Sequence, residues 1–257
     1  MKRPSALLTL CSLLVGAALA GACTDISDSS TAVLSIQFDS LPAPAVVIDD
    51  TLRDTTGVVV YPVVRAFNFK GGEIIPAPVW FQSPDSGITV DSVTGVVVGD
   101  SLRSSPARII ATVGSLQAIQ RVDVTLRPDR LQAVNAVDSL KYSILDSTKN
   151  VSPELQVKLV HGVAPADSAV KSYIVSFEIV YESAMKPGQL INASNKPSII
   201  DTTDASGIAG RKIRLHPVSL DSPTAVDSIV VNATAKYRGA PVSGSPVRLV
   251  LHYKPLS

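Results

Sequence analysis

The feature that most constrains the fold is a period-two alternation of apolar and polar residues in short runs, which begins near residue 32. In the run 227–237, one face carries Ile229, Val231, Ala233, Ala235 and Tyr237, while the other carries Asn232, Thr234 and Lys236. The runs 116–126, 173–181 and 246–253 repeat this pattern, and no stretch shows a helical period. Because successive side chains of a strand point to opposite faces, the pattern predicts strands with one buried and one solvated face. Closely spaced runs of this kind predict an all-β fold built of antiparallel sandwiches.

A break between two alternating segments divides the chain into two modules. A long terminal strand ends at Arg127-Pro128-Asp129-Arg130, and a new alternating segment begins at Leu131. The first module is therefore expected to span 32–127 and the second 131–257, and each is large enough to bury its own core.

Composition narrows the classes of function. The chain has 257 residues, of which 46% are hydrophobic and 18% charged, and this excludes a disordered protein. Lys and Arg total 23 against 22 acidic residues, so the net charge gives no reason to expect a nucleic-acid partner. Aromatic residues make up 5%, with one Trp, which provides little material for a stacking platform or an aromatic-lined pocket. No cofactor is expected.

The N-terminus has the layout of an export signal. Lys2 and Arg3 precede an uncharged apolar run at 6–20, which is too short to cross a membrane comfortably as a helix. The run ends in Leu19-Ala20-Gly21-Ala22-Cys23, which resembles the bacterial lipobox, with Ala20 where that pattern prefers Leu. The resemblance implies a signal peptide at 1–22, acylation of Cys23 and a lipidated tether at 23–31. The alternative is ordinary cleavage after Ala22 or Ala20, which would leave a soluble secreted protein.

The cysteine content favours lipidation. The other cysteine, Cys11, lies in the predicted signal, so the mature chain would hold one thiol and could form no internal disulfide. Several acyl chains on Cys23 would anchor the chain stably, whereas one chain alone is marginal. Thr24 stands where an aspartate is associated with inner-membrane retention, so the resemblance favours the outer membrane or cell surface.

Part of each module resembles a known family of bacterial Ig-like domains. The first module carries Trp80–Asp85, Ile88–Ser92, Thr94–Val97 and Ala107–Thr112. Together these resemble the bacterial Ig-like group 2 domain, a Greek-key sandwich, although Ser104-Ser105-Pro106 stands where that family usually has a glycine. Trp80 is predicted to be a structural core anchor, and 83–87 a turn. In the second module, 201–209 and the strand 229–235 are similar to invasin-type Ig-like domains.

One tetrapeptide suggests an enzyme. Gly99-Asp100-Ser101-Leu102 spells the signature of the GDSL esterase family, in which the serine is the nucleophile. That family pairs the serine with an Asp-x-x-His, and such a base is needed to take the hydroxyl proton. The residues three before His161, His216 and His252 are Lys158, Ile213 and Leu249, so none fits. No catalytic residue is predicted, and 99–102 is expected to be a polar turn between strands.

Metal and polyanion sites have weak support in the sequence. Asp49, Asp50 and Asp54, and separately Asp201 and Asp204, carry oxygen ligands for calcium, but their spacing matches no known loop and aspartate is common in turns. No metal site is therefore predicted. The cluster Arg211-Lys212-Arg214 is expected to be a solvated face or edge protection.

The sequence thus predicts an exported bacterial lipoprotein whose two Ig-like modules act as a non-catalytic spacer or adhesion module. Its partners would be the membrane, through the lipid anchor, and a surface polymer or protein. The loops expected to meet such a partner are 39–57, 68–77, 183–197 and 238–245. The alternative is a secreted module that binds a small ligand or a polysaccharide.

Overall fold

The computed structural model describes residues 32–182, 186–217, 220, 222 and 224–256. The predicted signal peptide at 1–22 and the tether at 23–31, with Cys23, lie outside the described residues. Within the described part of the chain no helix is long and apolar enough to cross a membrane.

The prediction of an all-β chain is confirmed. The strands of the first module are β1 (Ser35–Phe38), β2 (Ala45–Val47), β3 (Val64–Phe67), β4 (Trp80–Gln82), β5 (Ile88–Val90), β6 (Val97–Gly99), β7 (Ala107–Val113) and β8 (Leu116–Thr125). Those of the second are β9 (Arg130–Ala133), β10 (Val137–Tyr142), β11 (Leu155–His161), β12 (Ser168–Ala169), β13 (Ile174–Tyr181), β14 (Gly188–Ile191), β15 (Ile200–Thr202), β16 (Ile208–Leu215), β17 (Asp227–Thr234), β18 (Lys236–Tyr237), β19 (Ala240–Pro241) and β20 (Val247–Pro255). A turn of 3₁₀ helix follows β10 at Ser147–Lys149.

The first module packs a sheet of order β2-β8-β7-β4 against the pairs β1-β3 and β5-β6. The alternation along β7 shows which face of this sheet is turned inward. Ala107, Ile109 and Ala111 are fully buried, whereas Arg108 is exposed. The buried core combines the inner faces of these sheets; its members include Val46, Leu52, Phe81, Ile88, Val97, Ile109, Val122 and Val124.

The prediction that Trp80 anchors this core is wrong. Strand β4 turns Trp80 outward, where its side chain is 55% exposed, and buries the neighbouring Phe81 at 7% exposure. Phe81 lies opposite Ala111 on β7 and packs in the core. The inward position of β4 therefore belongs to the phenylalanine.

The second module is a sandwich of two larger sheets. One has the order β10-β20-β17-β13-β15, and the other has the order β12-β11-β16-β14 with β9 also paired to β11. The alternation predicted for 227–237 is confirmed, since Ile229, Val231 and Ala233 are buried. On the buried face of the first of these sheets, the rings of Tyr142 on β10 and Tyr253 on β20 meet edge to face, with their centroids 6.1 Å apart.

The expectation of purely antiparallel sheets needs one correction in each module. Strand β2 runs parallel to β8, with Val46 opposite Val124, and β10 runs parallel to β20, with Leu140 opposite Tyr253. All four of these residues are buried. Each module therefore places an early strand beside its last strand, and the other named strand pairs are antiparallel.

Candidate functional site at the junction of the two modules

A buried carboxylate links the two modules. Asp50 follows β2, and its side chain is 3% exposed. It accepts hydrogen bonds from Arg238 Nε of the second module at 2.8 Å and from Arg53 Nε of the first at 3.1 Å. The backbone N–H of Thr51 donates to the same carboxylate at 2.8 Å. The predicted partner-binding loops 39–57 and 238–245 thus meet each other here.

The surroundings of Asp50 keep it ionised. Burial on its own raises the pKa of this carboxyl group, because a low-dielectric environment disfavours charge. Hydrogen bonds from Arg238, the Thr51 backbone, Tyr237 and Arg53 outweigh that effect and lower the pKa to about 2. Asp50 is therefore a fixed negative charge held between two guanidinium groups.

The backbones of the two modules touch beside this ion pair. Gly57 has a φ of +90° and Gly239 a φ of +82°, a region that favours glycine. A Cβ atom at Gly57 would overlap the backbone of Arg238 and Gly239, and one at Gly239 would lie 2.7 Å from the carbonyl oxygen of Thr56. Glycine is needed at both positions because no side chain fits between the two backbone segments.

A second set of contacts joins the end of β8 to the segment before β13. Thr125 Oγ1 donates to the carbonyl oxygen of Lys171 at 2.7 Å, and Thr125 is fully buried. Ser172 Oγ donates to Asp123 Oδ2, also at 2.7 Å. Lys171 Nζ reaches back to donate to the carbonyl oxygen of Arg103 at 3.0 Å. The junction is therefore fixed at more than one point.

The linker between the modules is also held. Asp129 accepts a hydrogen bond from the backbone N–H of Gly162 at 2.8 Å, and its carboxylate lies 2.7 Å from His161 Nδ1. Arg127 Nε donates to the same carboxylate at 2.8 Å. These contacts fasten the predicted boundary segment to the end of β11.

A cleft of about 210 Å³ lies between the modules at this junction. Its walls include Ser176 and Thr234 on one side and the loop after β2 on the other. Tyr173 OH donates to the carbonyl oxygen of Lys236 at 2.6 Å, and burial raises the pKa of this phenol. This hydroxyl and the Asp50 carboxylate are therefore already engaged within the protein.

Four of the five aspartates considered as calcium ligands, namely Asp50, Asp54, Asp201 and Asp204, have other partners. Asp54 caps its own turn by accepting from the backbone N–H groups of Thr56 and Val58, at 2.9 and 3.0 Å. Asp204 likewise accepts from the N–H groups of its own turn. Among the described residues, no group of three or more His, Cys, Asp or Glu side chains could hold a metal ion.

The interpretation of Arg211 as part of a solvated face is wrong. Arg211 is 6% exposed, and its Nη1 lies 2.9 Å from Asp201 Oδ1 and donates to the carbonyl oxygen of Gly210 at 2.7 Å. The alternation of β16 places this guanidinium inside, where the aspartate compensates its charge.

The GDSL-like serine lies in the connection that follows β6. Gly99 is the last residue of that strand, and Ser101 is exposed, in line with the predicted polar turn. A serine–histidine contact that the sequence did not reveal lies elsewhere, with Ser228 Oγ 2.6 Å from His252 Nδ1. These two residues are opposite each other on β17 and β20, on an exposed face. Within the described chain no carboxylate bonds to His252, so the pair lacks the group that orients a catalytic base.

The pH dependence of stability provides a test of the Asp50 site. Because the folded state holds the pKa of Asp50 near 2, below its ordinary 3.8, its stabilising contribution is present above pH 3.8 and is lost as the pH falls toward 2. The free energy of unfolding of Asp50→Asn should therefore fall less between pH 4 and pH 2 than that of the wild type, as measured by urea unfolding. Arg238→Gln should change in the same direction, and parallel pH profiles for all three proteins would contradict the assignment.

No protein-family model matches the chain, and no curated protein matches its sequence. Among solved structures it is similar to domains 4 and 5 of the S-layer protein SbsC, at 10% identity and a TM-score of 0.32, over 88% of this chain and 99% of that one. It is also similar to the Yersinia pseudotuberculosis adhesin InvE, at 13% identity and a TM-score of 0.30, over 86% of this chain and 60% of that one. A third similarity is to extracellular cadherin domains 3–6 of protocadherin gamma B2, at 11% identity and a TM-score of 0.30, over 87% of this chain and 51% of that one.

Proposed function

We propose that the chain is an exported, lipid-anchored surface protein whose two Ig-like modules form a non-catalytic spacer or adhesion module. The observation that carries the proposal is the fixed junction, where Asp50, Gly57 and Thr125 of the first module contact Arg238, Gly239 and Lys171 of the second. A spacer must hold its parts at a constant distance, and several contact points at one junction provide this.

The junction favours a spacer over a small-ligand module. A binding pocket needs convergent polar groups that a ligand can satisfy. At the cleft, Asp50 is paired with two arginines and Tyr173 is bonded to the Lys236 carbonyl oxygen. The buried carboxylate of Asp50 thus joins the two modules through Arg238, which supports adhesion or spacing as the role.

Lipidation of Cys23 is tested by metabolic labelling. In a bacterial host, radiolabelled palmitate should enter the wild-type chain and should be lost in Cys23→Ser, because acylation needs that thiol. Cys11→Ser is the matched control, since Cys11 lies in the predicted signal and should not alter labelling. Equal labelling of wild type and Cys23→Ser would end the claim of a lipid anchor.

The role at the surface is tested separately by cross-linking on intact cells. A spacer or adhesion module should be captured with a surface protein or polymer, and the capture should fall when Asp50→Ala loosens the junction.

The non-catalytic assignment is tested by an esterase assay. Hydrolysis of a p-nitrophenyl ester by the wild type that disappears in Ser101→Ala would overturn it.

A further inference from the structure

The two modules share the same strand arrangement around their first and last strands. The sheet order β2-β8-β7-β4 of the first module corresponds to β10-β20-β17-β13 of the second. The correspondence extends to single residues, because buried Phe81 lies opposite Ala111 and buried Phe177 lies opposite Ala233. In the parallel pairs, Val46 and Leu140 occupy equivalent buried positions. Two parts of the internal junction, the loop after the parallel strand and the face that receives it, therefore have counterparts elsewhere in the chain.

One counterpart is the loop after the parallel strand. Asp50, which reaches the second module, stands four positions after Val46, and Ile144 stands four positions after Leu140. The residue next to Asp50 is Thr51, and its counterpart is Leu145. Ile144 is 56% exposed and Leu145 99% exposed. Among the described residues, the second module thus leaves exposed the loop that corresponds to the one the first module uses to contact its neighbour.

The other counterpart is the face that receives this loop. In the second module Ser176, next to Phe177 and opposite Thr234, lines the junction cleft together with Asp50. The equivalent position beside Phe81, opposite Thr112, is Trp80. The first module therefore carries an exposed copy of the receiving face, with the only Trp of the chain at its centre.

The two exposed surfaces, the 143–150 loop and the Trp80 face, are both more apolar than the matching surfaces of the internal junction. Inside the chain, polar Asp50 meets a polar face that includes Arg238 and Ser176. At the free surfaces, apolar Ile144 and Leu145 stand in place of Asp50 and Thr51, and Trp80 stands in place of Ser176. The hairpin that supplies Arg238 is also missing from the first module, where β7 and β8 are joined through Gly114 and Ser115. Trp80 itself is 55% exposed on this face.

We propose that two copies of this chain associate head to tail, with the 143–150 loop of one copy on the Trp80 face of the next. The geometry is that of the internal junction, repeated between molecules with apolar contacts in place of the ion pair. Because the two surfaces differ, the contact is heterologous, and its repetition gives a chain or a ring rather than a closed two-fold dimer. Head-to-tail association would be a property additional to the spacer role, and it does not require the lipid anchor.

Self-association of the purified protein tests the proposal. Sedimentation velocity over a concentration series should show oligomers, and the emission of Trp80 should shift to shorter wavelength as they form. Leu145→Ser and Trp80→Ser should each weaken association about 10- to 100-fold, because each removes one apolar anchor from the interface. Val163→Ser is the matched control, since Val163 is also exposed but lies on neither surface, and it should leave association unchanged.

Mixing the two variants distinguishes a head-to-tail contact from a symmetric one. Leu145→Ser keeps an intact Trp80 face and Trp80→Ser keeps an intact 143–150 loop, so an equimolar mixture should form a dimer with one good interface. A protein that stays monomeric at all concentrations would overturn the proposal. So would oligomers that survive both substitutions, or a mixture that fails to associate although the wild type does.

Discussion

Replacing Phe81 by alanine is expected to lower the free energy of unfolding of the first module by about 3–5 kcal/mol. Its ring fills the core opposite Ala111, so truncation removes buried apolar contacts and leaves a cavity. Trp80→Ala changes the neighbouring and larger side chain but should cost no more than about 0.5 kcal/mol, because Trp80 lies on the outer face.

Urea unfolding followed by far-ultraviolet circular dichroism measures both values, at protein concentrations low enough to keep the chain monomeric. The pair is internally controlled because the two residues are adjacent on β4 and differ mainly in the face that they occupy. Similar losses for the two variants, or a larger loss for Trp80→Ala, would show that the inward position of β4 has been misassigned.

This pair also shows where sequence reasoning succeeds and where it fails. Along 227–237 the alternation is long enough to fix which residues face inward, and Ile229, Val231 and Ala233 are buried as predicted. Strand β4 is three residues long and holds two adjacent aromatic side chains, so alternation cannot choose between them. Trp80 was predicted as the anchor within the segment that resembles the Ig-like group 2 domain, whereas in the structure Phe81 lies opposite Ala111 and is buried.

Gly57→Ala is expected to open the junction between the modules. The substitution places a non-glycine residue at a φ of +90°, which costs about 1–2 kcal/mol in backbone strain. It also drives a Cβ into the backbone of Arg238 and Gly239, and neither segment can avoid it by rotating a side chain. The two backbones must therefore separate, and the bond from Arg238 to Asp50 should be lost with them.

Gly71→Ala is the matched control for this prediction. Gly71 has a φ of +76°, but a Cβ there meets nothing within 4 Å, so the substitution carries the strain without the overlap. Small-angle scattering should show a changed distance distribution for Gly57→Ala and not for Gly71→Ala. In a double-mutant cycle, Arg238→Ala should lose most of its effect in the Gly57→Ala background. Equal scattering profiles for the two glycine variants would contradict the assignment.

The junction itself could not be predicted from the sequence. Asp50 and Arg238 are 188 positions apart, and no local pattern connects an aspartate in one turn with an arginine in another. In the sequence Asp49, Asp50 and Asp54 are equivalent turn residues, and only the folded structure separates Asp50 from the others, by its burial and its bond to Arg238. The burial of Arg211 could not be predicted for the same reason. Its basic neighbours in sequence suggested an exposed surface, whereas the aspartate that pairs with it, Asp201, lies on a different strand.

The parallel pairing of β2 with β8 and of β10 with β20 has a mechanical consequence. When two paired strands run in the same direction, a force applied to the N-terminal end of the first strand and the C-terminal end of the second acts along the strands. The two strands then slide past each other in shear. The hydrogen bonds of such a ladder carry the load together instead of opening one after another, as they do when a hairpin is unzipped. Both modules have this geometry, so a protein held at one end should resist extension most strongly at these two ladders.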